Sequence, residues 1–207
     1  MATELKSGAL TSLKRVKDRL TLSTPDFDTL LERLINAATD YLEGTCSRTF
    51  KETSSTNEIY SVYAPRQDLF ILKQAPVAVL TSAQYRAGTP SNPAWTNFAA
   101  DEYELVGNGA SGIVKIYGGI RSGVNVVRFT YTAGYKIDFD NPANSANHTL
   151  PSDMNDLAER LAVRLFKRRE SEGKQTEGFE GASITWANLI DEYDREVINR
   201  YRRVQIV

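Results

Sequence analysis

Apolar residues recur at three- and four-residue steps near both ends of this chain and at alternate positions through its middle. That change of period sets out its elements. Leu13, Val16 and Leu20 share a face while Lys14, Arg15, Lys17 and Arg19 look outward, which predicts a helix over Ser12–Leu20. After the short link Thr21, Leu22, Ser23, a longer stripe follows: Phe27, Leu30, Leu31, Leu34, Ala38, Tyr41 and Leu42. Thr24 is the expected N-cap and Pro25 the first helical residue, and Asp26 and Asp28 suit the positive end of the dipole. Gly44 is the expected left-handed stop. The short link favours an antiparallel helical hairpin.

From about Phe50 to Tyr135 the residues become rich in Val, Ile, Tyr and Thr, broken by Gly, Pro, Asn and Ser. Strands are expected at 58–63, 69–73, 77–86, 103–106, 113–117 and 124–132. In the last, Val127, Phe129 and Tyr131 alternate with Arg128, Thr130 and Thr132, giving one apolar and one polar face. The stretch 87–94 (AGTPSNPA) reads as an exposed loop tip. The run 107–112 (GNGASG) and the pair Gly118, Gly119 read as hairpin turns. A phosphate-cradling loop would need to run from strand to helix, and these join strand to strand.

Beyond the polar loop 138–149, Ser152 is the expected N-cap of a helix carrying Met154, Leu157, Ala158, Leu161 and Leu165, and ending near Lys167, Arg168 and Arg169. A flexible polar link is expected over 172–181. The last helix, 188–203, carries Leu189, Ile190, Tyr193, Val197 and Tyr201. Helices and strands are thus segregated, which favours an α+β fold: helices from both ends packed together with an antiparallel β-rich lobe inserted. The expected parts are a helical hairpin over 1–50, a lobe over 51–136 and C-terminal helices over 150–207.

With 41% hydrophobic and 10% aromatic residues the chain can bury a core, so a disordered chain is excluded. No apolar run approaches the roughly 18 residues of a membrane span. The first twenty residues lack the apolar centre of a secretory signal, so synthesis in the cytoplasm is expected. The single cysteine, Cys46, rules out an internal disulfide and reads as a small buried residue. With one His (His148) and one Cys, neither a thiol–imidazole pair nor an ordinary zinc site is expected, and no cofactor is implied. A net charge of −1, from 25 basic and 26 acidic residues, argues against tight duplex binding. Two other readings stay open. One is a DNA-binding module using Lys14–Arg19 or Arg160–Arg169; the other is a carboxylate-dependent hydrolase using Asp138, Asp140 and Asp153, or Asp101 and Glu102.

Several segments carry a family likeness. The run 26–31 (DFDTLL), then 37–43 (AATDYLE) and 46–50 (CSRTF), resembles the opening of tailed-bacteriophage head–tail connector proteins, also called head-completion adaptors. Residues 75–79 (APVAV), 129–135 (FTYTAGY) and 150–153 (LPSD), followed by Leu157 and Ala158, agree with it in order and spacing. The resemblance implies a non-enzymatic virion protein of the head–tail interface, assembled in the host cytoplasm. It implies a ring, typically of twelve copies, beneath the portal. The portal protein would lie on one side and a stopper or tail-completion protein on the other, with duplex DNA passing through unheld and no membrane partner. In several such proteins the C-terminal segment reaches into the portal, a role that would fall here on 189–207. The closing residues 201–207 (YRRVQIV) combine Tyr, Arg and aliphatics, types suited to interfaces. Tyr193, Arg200, Tyr201, Arg202, Arg203, Ile206 and Val207 are therefore the candidate portal or subunit contacts.

Overall fold

The computed structural model describes residues 5–64, 66–87, 89, 91–92, 94–140, 146–169, 176–179, 182–185 and 189–203. Among these are four α-helices: α1 (Leu13–Leu20), α2 (Asp28–Cys46), α3 (Ser152–Arg168) and α4 (Glu192–Tyr201). The strands are β1 (Thr53–Val62), β2 (Gln67–Ile71), β3 (Val77–Arg86), β4 (Trp95–Asn97), β5 (Tyr103–Leu105), β6 (Ile113–Ile120), β7 (Gly123–Ala133), β8 (Thr176–Phe179) and β9 (Ala182–Thr185). The fold is α+β. One compact unit comprises residues 1–50 and 136–207, the other residues 51–135.

In the helical unit, α3 packs against α1, α2 and α4. Its inward residues Met154, Leu157, Ala158, Leu161, Ala162 and Phe166 meet Leu31, Ile35, Ala38 and Leu42 of α2, all at most 6% exposed. Fully burying a Leu, Ile or Met side chain contributes about 1.5–3 kcal/mol, so these faces carry most of the unit's stability. Ser12 caps α1 as its position suggests, its hydroxyl accepting from Arg15 N at 3.3 Å.

The ends of α2 lie elsewhere than the sequence indicates. Thr24 and Pro25 do not open it. Pro25 O accepts from Asp28 N in a turn, and Phe27 is the N-cap. Phe27 is placed there by its edge-on contact with Phe166, with ring centroids 5.4 Å apart, which outweighs the better cap chemistry one turn earlier. Gly44 does not stop the helix either. Two more residues continue to Cys46, whose side chain is buried, and Ser47 takes the left-handed conformation at φ 53°. Arg48 N then donates to Glu43 O at 3.1 Å, closing the end in the usual double-bonded manner. The inward stripe is also rotated: Ile35 and Cys46 join it, while Leu30 and Tyr41 face out at 37% and 44% exposure. In α3, Pro151 precedes the first helical residue, Ser152, and no side chain caps it. Within the expected flexible link over 172–181, Thr176–Phe179 instead form β8, which pairs antiparallel with β9.

The second unit is built on a four-stranded sheet in the order β1-β7-β3-β4 and a three-stranded sheet in the order β2-β6-β5. Strand β7 is the spine, pairing antiparallel with β1 and β3. Its inward residues Val127, Phe129, Tyr131 and Ala133 are at most 1% exposed, as the alternation requires. Phe70 and Tyr60 close on Phe129, each with ring centroids 5.6 Å from it. The expected Asn108–Gly109 turn joins β5 to β6, with Gly107, Asn108 and Gly109 all at positive φ. Gly118 and Gly119 do not make a turn. They lie inside β6 at φ 83° and 66°, where the register with β2 slips between Gln67 and Leu69. They bulge the strand, a second use of glycine that composition does not separate from a turn. The chain enters and leaves this unit through adjacent residues: Lys51 bridges to Tyr135, and Glu52 N donates to Tyr135 O at 2.8 Å.

Inside this unit sits one buried carboxylate. Glu58, 8% exposed, accepts from the hydroxyls of Tyr131 at 2.5 Å and of Tyr60, and from Lys73 N at 3.1 Å. Burial, reinforced by this carboxylate, pushes the Tyr131 phenol above its ordinary value.

Candidate assembly surface

The candidate contact residues fall on α4 and the residues that follow it. This helix begins at a cap that the sequence reading passed over. Asp191 Oδ1 accepts from Asp194 N at 2.8 Å, and Asp194 Oδ2 accepts from Asp191 N at 3.0 Å, a reciprocal capping box. Helix α4 therefore starts at Glu192, later than 188, and ends at Tyr201. Its inward residues are Asp194, Val197 and Ile198. The spacing of Asp191 and Asp194, three apart ahead of an apolar pair, was the available signal.

Asp194 is fully buried because α3 offers it two arginines one turn apart. Arg160 Nη1 lies 2.9 Å from Asp194 Oδ1, and Arg164 Nη1 pairs with Oδ2. Arg164 Nη2 reaches Asp191 at 2.6 Å. The backbone N–H of Asp194 and then the Arg164 guanidinium hold the Asp191 carboxyl below its ordinary value. Arg160 also pairs with Asp156 at 2.9 Å, and Asp156 with Arg19 of α1 at 2.8 Å. Arg19 and Arg15 meet Glu159 at 3.0 and 3.2 Å. One ladder of alternating charge thus ties α1, α3 and α4 together.

Each described candidate has a place. Tyr193 faces out, 55% exposed, with the Arg160 guanidinium 5.0 Å from its ring centroid. Arg200 pairs with Asp153 at 2.7 Å and stays 63% exposed. Tyr201 donates to the other Asp153 oxygen at 2.7 Å and sets its ring edge-on to Phe50. Arg202 Nε donates to Thr45 O at 3.3 Å, and Arg203 N to Cys46 O at 2.9 Å. The Arg202 side chain and the Arg203 backbone N–H thus satisfy carbonyls at the C-terminus of α2, where the charge of Arg202 suits the dipole. Cys46 Sγ in turn donates to Ile198 O at 3.8 Å. Burial pushes the Cys46 thiol up to about 11. Ile206 and Val207 lie outside the described residues.

The two other readings meet the same geometry. Arg15, Arg19, Arg160 and Arg164 are engaged by carboxylates, Lys14 pairs with Asp18 at 2.6 Å, and Lys17 with Asp28 at 2.5 Å. Arg169 stacks on Phe166, 4.0 Å from its centroid. A paired guanidinium is a poor phosphate ligand, because its carboxylate must first be displaced. Of the acidic candidates, Asp153 is taken by Arg200 and Tyr201. Asp138 accepts from Asp140 N at 3.0 Å, and Glu102 accepts from Ala99 N at 2.7 Å. Among the described residues no group of three or more His, Cys, Asp or Glu is placed to hold a metal ion. No helix among them is long and apolar enough to cross a membrane.

Comparison with known proteins gives one family. The profile described as "Head completion protein" matches residues 9–204. Among curated proteins none matches. Solved structures with the same fold include a chain in the neck of an empty GTA particle computed with C6 symmetry. It is 21% identical, with TM-score 0.59, covering 100% of this chain and 95% of that one. A chain in the neck of a native GTA particle computed with C12 symmetry is 19% identical, with TM-score 0.57 and coverage of 100% and 94%. A chain of the virion of a native gene transfer agent particle is 20% identical, with TM-score 0.54 and coverage of 97% and 93%.

Proposed function

This chain belongs to the head completion protein family, and from that premise we propose that it is a structural virion protein: an adaptor that forms a ring beneath the portal and joins the head to the tail. The observation that carries the reading is the match across residues 9–204, which takes in both units and the closing helix. The likeness in fold to chains from particle necks computed with C6 and C12 symmetry supports a ring of twelve. The portal protein would be one neighbour and a stopper or tail-completion protein the other. Candidate contacts on this chain are Tyr193, Arg200, Tyr201, Arg202, Arg203, Ile206 and Val207.

Assembly of this kind needs no reactive group. One subunit contact is weak, but a closed ring engages many at once, and the high effective concentration of each further contact makes the whole stable. The charge ladder of α1, α3 and α4 supports the second half of the reading, in which DNA passes without being held. Cations locked to carboxylates add little phosphate grip. Purified protein imaged alone and with its portal should show rings seated on the portal vertex. A chain that never binds the portal would refute the proposal. Steep, salt-sensitive duplex binding would instead favour the DNA-binding module.

A further inference from the structure

The outer face of α2 bears an apolar seam. Leu30, Leu34, Ala37, Tyr41 and Gly44 follow at steps of four, three, four and three, the a/d spacing by which two helices pack along a narrow line. Leu30 is 37% and Tyr41 44% exposed, Ala37 is exposed and Leu34 half-buried. The inward stripe of Leu31, Ile35, Ala38, Leu42 and Cys46 lies beside this seam. Helix α2 is therefore apolar around more than half its circumference, wider than the core of one subunit requires.

We propose that this seam pairs with the same seam of a second copy, antiparallel, about a two-fold axis. The residue order is self-complementary in reverse. Setting Leu34 against Ala37 of the second copy sets Leu30 against Tyr41 of the second copy, and the two-fold repeats both contacts. Large meets small at the centre and large meets large at the ends. The flank matches too. Arg33 and Asp40 lie seven residues apart on the same side of the seam. Antiparallel pairing keeps equivalent flanks together, so Arg33 approaches Asp40 of the second copy and the converse. Asp40 retains 57% exposure while holding Lys6. A parallel arrangement would align Ala37 with Ala37 and lose the match of opposite charge between the flanks.

Five seam residues per copy, one of them glycine, cover less than the roughly 800 Å² per partner of a standard interface, so the dimer is weak and concentration-dependent. A two-fold contact does not repeat around a ring axis. The pairing belongs to the free protein and is independent of the ring.

Sedimentation of the full chain over a concentration series should show a monomer–dimer equilibrium. Arg33→Asp and Asp40→Arg should each weaken it about tenfold or more by setting like charges together. The double variant should recover it, as should an equimolar mixture of the two single variants. A chain carrying both Leu30→Cys and Tyr41→Cys should form a disulfide-linked dimer on oxidation. Neither single variant should, because antiparallel pairing holds two copies of either residue roughly 16 Å apart along the helix. A monomer at every concentration, a dimer indifferent to the charge swap, or crosslinking by either single cysteine would overturn the pairing. Occupation of the seam only when a portal or tail protein is added would do the same. Failure to bind the portal while this dimer persists would count against the ring alone.

Discussion

Arg160 Nη1 lies 2.9 Å from Asp194 Oδ1, and the aspartate side chain has no solvent exposure. The carboxylate is held on its other oxygen by Arg164 and by the backbone of Asp191. Removing it leaves two arginines with a buried gap and opens the capping box of α4. Asp194→Ala should destabilise the helical unit by about 3 kcal/mol, read by denaturant unfolding. A loss under about 0.5 kcal/mol would mean that α4 is held by Val197 and Ile198 alone.

Asp191 sets a pH dependence of definite sign. Its folded-state carboxyl lies below the ordinary value, because it accepts the Asp194 N–H and the Arg164 guanidinium. The stability it contributes is present above the unfolded value of about 3.9 and is lost as pH falls through the folded value. Asp191→Asn should flatten the acid limb of stability below about pH 4 and leave the curve above pH 6 parallel to that of the unsubstituted protein. An unchanged acid limb would refute the assignment.

Cys46 reports the opening of α4. Its thiol is buried beneath the Ile198 carbonyl and titrates at about 11, so the folded protein holds it protonated. A disulfide reagent at pH 8 should modify it only as fast as the α4 contact opens, and at once in denaturant. Because the folded value is raised, its stabilising share is full below the unfolded value of about 8.5 and declines as pH rises toward 11. Immediate modification of the native protein would show that Cys46 is accessible without opening.

Glu58 accepts from two tyrosine hydroxyls and Lys73 N, and the Tyr60 hydroxyl also reaches Ile71 O at 2.9 Å. Glu58→Ala should cost the β-rich unit about 2–4 kcal/mol by removing the acceptor of the Tyr131 hydroxyl and Lys73 N, while the Tyr60 hydroxyl turns to Ile71 O; Glu58→Gln, which keeps an oxygen, should cost less. Thermal melts of the three proteins would rank them. Equal losses would argue that shape outweighs hydrogen bonding at this position.

A side chain at Gly109 has no room. A Cβ there would meet Val77 O at 2.2 Å, and the residue sits at φ 82°. Gly109→Ala should lower the stability of the β-rich unit by roughly 2 kcal/mol or more, since backbone must move to admit it. A neutral result, seen as an unshifted unfolding midpoint, would mean that the β5–β6 connection adapts.

What could be read from the chain follows from where its information is local. The alternation Val127, Phe129, Tyr131 fixed which face of β7 is inward, and Ser12 marked the start of α1, because each depends on immediate neighbours. The ends of α2 depend on Phe166 and Ile198, more than a hundred residues away, so local cap chemistry pointed to the wrong positions. The inward place of Asp194 depends on Arg160 and Arg164 from another helix, which its own neighbours in the chain do not reveal. Short β4 and the β8–β9 pair fall below the length at which alternation is visible. For the candidate contacts, the residue types suggested an outward surface. Arg200, Tyr201, Arg202 and Arg203 each also bond within the subunit, and Tyr193, 55% exposed, carries the Arg160 guanidinium over its ring.

The Lys51–Tyr135 bridge has a consequence for how such a chain evolves. Its intervening 83 residues depart from and return to nearly one point. Lengthening that excursion raises the closure entropy by only about 0.6 kcal/mol per doubling, so the helical frame scarcely registers its size. Selection is then free to trim, enlarge or exchange the inserted part, while the frame keeps its own packing.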